Sequence, residues 1–177
     1  DTVALTGWSL TVDSYTPGDK VERTETNEET GVTTTEVTYT TNHEDIEVGT
    51  LETLVPWKDI EALGEFVSGV GTYTTTFTLP DDLSIEGKKV MFEADSFNLG
   101  TAMITVNDQK AVVNMDACEA DLTDLVQAGE NTISVRVTSS LCNVARSYEG
   151  IFWITEETPA ADYGMTGNTV ITISDAE

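Results

Sequence analysis

One stretch, residues 68–80, decides the fold of this chain, and it reads SGVGTYTTTFTLP. Large apolar side chains at Tyr73, Phe77 and Leu79 alternate with threonines, the period-two pattern of a β-strand with one buried and one wetted face. Two glycines let the chain turn into the strand, and Pro80 ends it because proline cannot donate a hydrogen bond to a sheet. The stretch therefore predicts a central strand.

The same period recurs along the chain and predicts an all-β protein, a β-sandwich with no long helix. Only residues 57–63 and 121–126 carry helical signals, each of a single turn, and residues 151–154 predict a short apolar strand. Arg136 falls on the outer face of its strand. The predicted core consists of Tyr73, Phe77, Leu79, Val90, Phe92, Ile104, Val106, Ile133, Val135, Val137, Ile171 and Ile173.

Five further segments follow in an order that resembles the sugar-binding β-sandwich of family 2 glycoside hydrolases. The segments are residues 87–93, 102–108, 121–125, 129–138 and 163–167, the last of which is similar to the family's Ser-Gly-Leu-Leu-Gly element. The resemblance is closest to α-L-rhamnosidase-like enzymes and covers roughly residues 51–174. It implies a galactose-binding-like jelly roll.

The length of the chain and its net charge limit the functions that it can have. A chain of 177 residues fits one domain, and its abrupt start at Asp1 suggests a domain excised from a larger multidomain protein. Eight Lys and Arg against 32 Asp and Glu give a net charge of −24, which repels nucleic acid and anionic membranes. No apolar run approaches the ~20 residues needed to cross a bilayer. We expect neither nucleic-acid binding nor membrane insertion.

The first strand and a hairpin occupy the N-terminal region. Residues 8–12 predict a strand with Trp8 inward, and residues 15–19, which contain Pro17 and Gly18, predict a turn. The Thr- and Glu-rich residues 20–42 then predict a hairpin inserted into the sandwich, with its tip at residues 28–31. Its second arm carries Val37 and Tyr39 as a thin apolar edge toward the sandwich.

Cys118 and Cys142 are the two cysteines, and they form either one disulfide or two separate thiols. The topology of the resembling family brings their loops to the same end of the sandwich, with the Cα atoms expected within about 7 Å.

Nothing in the sequence marks a catalytic or metal site. The single histidine, His43, lacks the spaced ligands of a metal centre and predicts a solvated loop, so we expect neither metal nor cofactor. No nucleophile motif or phosphate loop occurs, and acidic residues are too abundant to single out an acid and base pair. In the resembling enzymes the catalytic carboxylates belong to another domain.

Two functions remain open. The chain is either a carbohydrate-binding ancillary module of a secreted bacterial glycoside hydrolase, or a structural domain that packs against the catalytic domain of the same polypeptide without binding sugar. Sugar sites combine a flat aromatic face with amides and charges in loops. The predicted ligand site lies at one end of the sandwich and comprises Trp57, Asp116, Glu119, Asn143, Arg146 and Tyr148.

Two of these assignments carry alternatives. Asn143 and Arg146 stand where rhamnosidase-like relatives carry an Asn-Arg pair, but Val144 and Ala145 separate them here. Trp57 stands either at the mouth of the pocket or in the core, and in the second case Arg146 only neutralises nearby acids. Exposure of Trp57, Tyr148 and Trp153 on one rim would favour the sugar site.

Overall fold

The computed structural model describes residues 1–80, 85–148, 154 and 157–176. The strands in this part of the chain, in order, are β1 Thr2–Ala4, β2 Ser9–Thr26, β3 Thr33–Thr50, β4 Gly69–Leu79, β5 Lys88–Ser96, β6 Thr101–Val106, β7 Gln109–Ala111, β8 Val113–Asn114, β9 Glu119–Asp121, β10 Gly129–Thr138 and β11 Thr166–Asp175. Besides them, the described residues form a 3₁₀ turn, Trp57–Asp59, and a one-turn helix α1, Cys142–Ala145.

The strands form two antiparallel sheets. The first has the order β1-β11-β5-β9-β8, and the second has the order β3-β2-β4-β10-β6-β7. This arrangement confirms the predicted β-sandwich. Strand β4 lies inside the second sheet, bonded to β2 on one side and to β10 on the other, so it is the central strand that the sequence predicted.

The core lies between the inner faces of the two sheets. All twelve predicted core side chains are buried, with none more than 7% exposed. The alternating threonines of β4 face the other way, and Arg136 is exposed on the outer face as predicted. Burial of each large apolar side chain contributes about 1.5–3 kcal/mol, so period-two burial supplies most of the driving force for folding.

Strands β2 and β3 correct the predicted turn at residues 15–19. Both strands run for 18 residues and pair from Ser9↔Thr50 to Thr26↔Thr33. Pro17 and Gly18 lie at a β-bulge, because the register shifts between Pro17 and Lys20. A bulge accommodates a proline within a strand, and the Thr40 side chain comes so close to Gly18 that no Cβ would fit there.

The hairpin itself is ordered, as predicted, but it continues the two strands of the sheet. Its tip begins at Asn27, whose side-chain oxygen accepts hydrogen bonds from the backbone N–H groups of Glu29 and Thr30, both at 3.0 Å. The predicted apolar edge is wrong for Val37, which is 42% exposed. Tyr39 does reach the body of the sandwich, where its ring stacks on that of Tyr148.

The turns and short helices of the structure agree only in part with those predicted from the sequence. Asn107 and Asp108 have φ values of 49° and 66° and join β6 to β7, so this hairpin has the type I′ turn that asparagine and aspartate tolerate. The predicted turn at residues 57–63 is the 3₁₀ turn, and Gly64 follows it with φ 73°. Helix α1 lies in a stretch that the sequence predicted as loop. Residues 151–153 of the predicted strand 151–154 lie outside the described residues.

No helix in the described part of the chain is long and apolar enough to span a membrane.

We expect Gly69→Ala to lower the free energy of unfolding by about 2 kcal/mol or more, because Gly69 has φ 148° and an added Cβ would collide with the carbonyl oxygen of Asp13. Gly64→Ala is the matched control. Gly64 also has positive φ, but no atom lies within 4 Å of its added Cβ, so only the backbone cost of roughly 1 kcal/mol applies. Urea denaturation measures both changes, and equal losses would contradict the collision.

Candidate functional site

One end of the sandwich, which we call the loop end, gathers the residues predicted to bind a ligand. Thr138 at the end of β10 pairs with Val70 and with Thr101, so the loops beyond them lie together. In the facing sheet Thr166 pairs with Ser96, which brings the loops around residues 97–100 and 163–165 to the same end. Helix α1 and the segment that contains Trp57 complete it.

Trp57 is buried, with no exposed surface, so of the two alternatives left open the core position is the one observed. Its indole Nε1 donates a hydrogen bond to the hydroxyl of Tyr73 at 2.7 Å, and its backbone N–H donates to Tyr163. Gly71 and Gly164 make room for the ring, since a Cβ on either would collide with it. Trp57 therefore cannot offer an aromatic face to a sugar in this conformation.

Tyr73 holds the centre of this buried group. Its hydroxyl oxygen accepts the Trp57 bond and a second one from the backbone N–H of Met165 at 3.1 Å. Burial raises the pKa of Tyr73 to about 12, because an ionised phenol would lose its hydration, although both hydrogen bonds work in the opposite direction. The hydroxyl is therefore a neutral structural group at physiological pH.

Asn143 is also buried, and both polar atoms of its side-chain amide bond to the protein backbone. Nδ2 donates to the carbonyl of Ala161 at 2.9 Å, and Oδ1 accepts from the N–H of the same residue at 2.8 Å. This two-sided bond fixes the segment around Ala161 on helix α1. Asn143 consequently has no amide atom directed to an external ligand.

Arg146 is 4% exposed and joins three segments of the loop end. Its guanidinium donates to the carbonyls of Thr158 and Glu65 and, at 3.3 Å, to the Glu65 carboxylate. Its Cζ lies 4.9 Å from the centre of the Phe66 ring. Arg146 therefore neutralises a nearby acid, Glu65, which is one of the two alternatives that the sequence left open. It also makes two hydrogen bonds to backbone carbonyls.

Asp116, Glu119 and Tyr148 remain accessible. Asp116 is exposed, and Glu119 is half-buried in β9, where its carboxylate accepts from the Asn114 side chain at 3.2 Å. Tyr148 is half-buried, with its ring centre 4.7 Å from that of Tyr39. The structure thus brings the six predicted residues to one end but leaves only these three open to solvent. Their binding of a ligand stays a prediction, and Trp153 lies outside the described residues.

The two cysteines are free thiols, and both are half-buried at the loop end. The backbone N–H of Ala102 lies 3.4 Å from the Met115 sulfur, which fixes the Cys118 loop beside the start of β6. Strand β6 starts opposite Thr138, the last residue of β10, and Cys142 follows four residues later, so both cysteines lie at the loop end. The expected approach of their Cα atoms to within about 7 Å stays a prediction.

His43 lies in β3 and does not occupy a loop. Its Nδ1 is 3.0 Å from a carboxylate oxygen of Asp13, and its ring meets the edge of Tyr15. Among the described residues, no group of three His, Cys, Asp or Glu side chains is arranged to hold a metal ion.

A cleft that the sequence did not indicate opens on the side of the sandwich where the chain crosses from β1 to β2. It has a volume of about 440 Å³ and is mainly apolar, with Leu5, Trp8 and Leu54 in its walls and Glu52 and Asn168 among its polar residues. Trp8 is only 2% exposed and donates through Nε1 to Thr169, so it forms the floor of the cleft. The segments that line it are far apart in sequence, which is why no local pattern revealed it.

No protein-family model matches this chain, and no curated protein matches it. Three solved structures share its fold over nearly its whole length. They are a rhamnosidase from Novosphingobium sp. PP1Y (17% identity, TM-score 0.58), a glycosyl hydrolase family 2 member from Bacteroides cellulosilyticus DSM 14838 (20%, 0.53) and an FMN-binding beta-glucuronidase from Facaelibacterium prausnitzii L2-6 (18%, 0.54).

The coverage of these matches is unequal. They extend over 96%, 98% and 99% of this chain but over only 15%, 21% and 22% of the three proteins. At this identity the likeness shows the fold alone. It confirms that the chain has the fold of a β-sandwich domain found in rhamnosidase and family 2 glycoside hydrolase proteins.

The buried phenol predicts a loss of stability at alkaline pH. The pKa of Tyr73 falls from about 12 to about 10 on unfolding, so its contribution is complete below pH 10 and declines as the pH rises toward 12, by about 1.4 kcal/mol per pH unit. Urea denaturation between pH 9 and 12 should show this decline in the wild type and a shallower one in Tyr73→Phe. Identical slopes would contradict the raised pKa.

Arg146→Ala should lower the free energy of unfolding by about 2–3 kcal/mol, since the carbonyls of Thr158 and Glu65 lose a charged donor. Arg136→Ala removes the same side chain from the exposed outer face of β10 and should change it by less than about 0.5 kcal/mol. Thermal or urea denaturation compares the two. Similar losses would mean that Arg146 has no special structural role.

Proposed function

We propose that this chain is a non-catalytic β-sandwich domain of a longer glycoside hydrolase, in which it packs against the catalytic domain of the same polypeptide. The observation that carries the proposal is the unequal coverage: nearly all of this chain matches 15–22% of three proteins whose names describe glycoside hydrolases. A chain that spans so small a share corresponds to one domain of such a protein, and in this proposal that domain is an accessory one. The longer chain, its substrate and its catalytic domain are all part of the proposal.

Two carboxylates of this chain, Asp121 and Asp175, are unsuited to act as the general acid of a glycosidase. A glycosidase needs one carboxylic acid that keeps its proton, and hence one raised pKa. In this chain the hydroxyl of Thr123 lowers the pKa of Asp121, and the ammonium of Lys88 lowers the pKa of Asp175. Both shifts favour the ionised form, which is the opposite of what a general acid requires.

The loop end favours a structural role over sugar binding at the predicted site. Sugar recognition requires polar groups that are free to meet hydroxyls. Here the amide of Asn143 and the guanidinium of Arg146 bond to the protein's own backbone, and Trp57 is sealed in the core. Replacement of Trp57 and Arg146 would therefore damage the fold, and it cannot separate sugar binding from stability.

Carbohydrate binding is the second candidate, and the cleft beside Trp8 favours it. A volume of about 440 Å³ lies within the usual range for small-molecule sites, which are mostly apolar with a few polar groups. Glu52 provides a carboxylate there, whereas the side-chain amide of Asn168 already donates to Asp95 at 2.9 Å. In this second proposal the chain is a carbohydrate-binding module, with the cleft as its site in place of the loop end.

We further propose that the longer protein is bacterial and secreted. The net charge of −24 supports this proposal because it favours solubility and repels nucleic acid and anionic lipid.

Two assays on the 177-residue chain test these proposals. Incubation with a panel of aryl glycosides should release no aglycone, and hydrolysis would overturn the non-catalytic role. Calorimetric titration with mono- and oligosaccharides should give no saturable heat if the role is purely structural, whereas millimolar or tighter binding would establish the carbohydrate-binding module. The site of any binding is then found with two variants, Glu52→Ala in the cleft and Asp116→Ala/Glu119→Ala at the loop end.

A further inference from the structure

A groove lies at the base of the β2–β3 hairpin, between this strand pair and residues 62–67. It has a volume of about 360 Å³, which is within the range of small-molecule sites. Ser14, Thr16 and Glu44 are among its polar residues. Among the described residues it shares none with the cleft beside Trp8, so the two spaces are separate. Much of the groove wall is apolar and comes from Ile46, Leu63, Phe66 and Val67.

The inner face of the strand pair changes from apolar to polar at the groove. Buried Val12 lies opposite Ile46 in the register of the two strands. Two residues further along each strand, and therefore on the same face, Ser14 lies directly opposite Glu44. The Cβ atoms of such opposite residues are about 4.5–5.5 Å apart. The hydroxyl and the carboxylate are therefore neighbours that line one groove.

The hydroxyl of Ser14 is buried but has no partner in the protein. Ser14 is 3% exposed, and its hydroxyl makes no hydrogen bond to any residue that the structure describes. A sealed hydroxyl in this state would be costly, and no fully enclosed side-chain oxygen or nitrogen of the described residues lacks a partner. The Ser14 oxygen therefore keeps a small opening, and the groove is the space that the residue lines.

Phe66 supplies a flat aromatic surface to the groove. It is half-buried, and Arg146 lies against its ring, with Cζ 4.9 Å from the ring centre. Hydrogen bonds to the carbonyls of Thr158 and Glu65 fix this guanidinium in turn. The ring is thus held in place before any ligand arrives, which lowers the entropic cost of binding.

The charge of the groove favours a cation. Glu44 is exposed, and its carboxylate forms neither a hydrogen bond nor an ion pair within the described part of the chain. Arg146, the cation beside Phe66, is paired with Glu65 at 3.3 Å. The whole chain has a net charge of −24. A ligand with a positive charge is therefore attracted to the groove, whereas an anion is repelled.

We propose that this groove binds an amino sugar, a sugar ring that carries a protonated amine. The ammonium group donates to the Glu44 carboxylate in a charge-assisted hydrogen bond, a ring hydroxyl bonds to Ser14, and the C–H face of the ring packs on Phe66. The three groups of the groove thus match the three parts of one ligand. A neutral sugar would lack the charge-assisted bond, and an amine without hydroxyls would leave Ser14 unpaired.

This site goes beyond both of the functions proposed above. It belongs to this chain, so it requires neither the longer protein nor ligand binding in the cleft beside Trp8. Its volume, about 360 Å³, is near the lower limit for small-molecule sites and suits the terminal ring of a glycan better than a long polysaccharide.

Calorimetric titration of the 177-residue chain with glucosamine and with glucose tests the proposal. At about pH 6.5 and matched ionic strength the amine is protonated and the carboxylate is ionised. Glucosamine should bind with a Kd of about 1 mM or below, and at least about tenfold more tightly than glucose.

Two variants identify the carboxylate. Glu44→Gln should weaken glucosamine binding about tenfold, because it removes the charge-assisted bond. Asp45→Asn is the matched control, since Asp45 is the next residue of β3 and faces the opposite side of the strand. It changes the net charge by the same amount but should weaken binding by less than about twofold.

Each outcome decides the proposal. The absence of saturable glucosamine binding, equal binding of glucose, or equal losses in the two variants would overturn it. Loss of binding in Glu52→Ala with Glu44→Gln unaffected would also overturn it, while it would uphold the cleft beside Trp8 as a carbohydrate site. If Glu44→Gln fails to fold by circular dichroism, Ser14→Ala replaces it and should weaken binding about threefold, and unchanged binding would overturn the proposal.

Discussion

The hydroxyl group of Tyr73 is the point on which the loop end depends. Tyr73 lies on the central strand β4, and its hydroxyl accepts hydrogen bonds from the Trp57 indole and the Met165 backbone N–H. Trp57 precedes β4 in the sequence, and Met165 precedes β11. In a desolvated interior each of these donors would cost about 1–3 kcal/mol if left without a partner. One phenol therefore fixes the segment before β4 and the segment before β11 in a single arrangement.

The remaining polar groups of the loop end extend the same arrangement outward. Tyr163 bonds through its backbone to Trp57 and through its hydroxyl to Ser140 at 2.6 Å. Asn143 and Arg146 then attach helix α1 to residues 158–161 and to Glu65. Residue types that usually recognise sugars here bond to the protein's own backbone and close the end of the sandwich.

The sequence predicted the fold well because strand burial is a local pattern. Alternation in β4, β5, β10 and β11 places each side chain inward or outward without reference to the rest of the chain, and the twelve core residues follow from it.

The site was harder to predict. Trp57 is buried because Gly71 and Gly164, both remote in sequence, leave space for its ring. A glycine inside a strand signals such a close approach, and Gly71 was the available clue. The proline and glycine at residues 17 and 18 likewise suit both a turn and a bulge, and only cross-strand pairing distinguishes the two.

The burial of Trp57 also gives the protein an internal optical reporter. Its indole is fully enclosed and hydrogen-bonded to Tyr73, while Trp8 packs edge-to-face on the ring of Tyr73 and is anchored separately by Thr169 of β11. Partial opening of the loop end would hydrate Trp57 and shift its fluorescence to longer wavelength, with Trp8 still in apolar surroundings. In a Trp153→Phe variant, which removes the third tryptophan of the chain, the emission can therefore distinguish local opening of one end from unfolding of the whole sandwich.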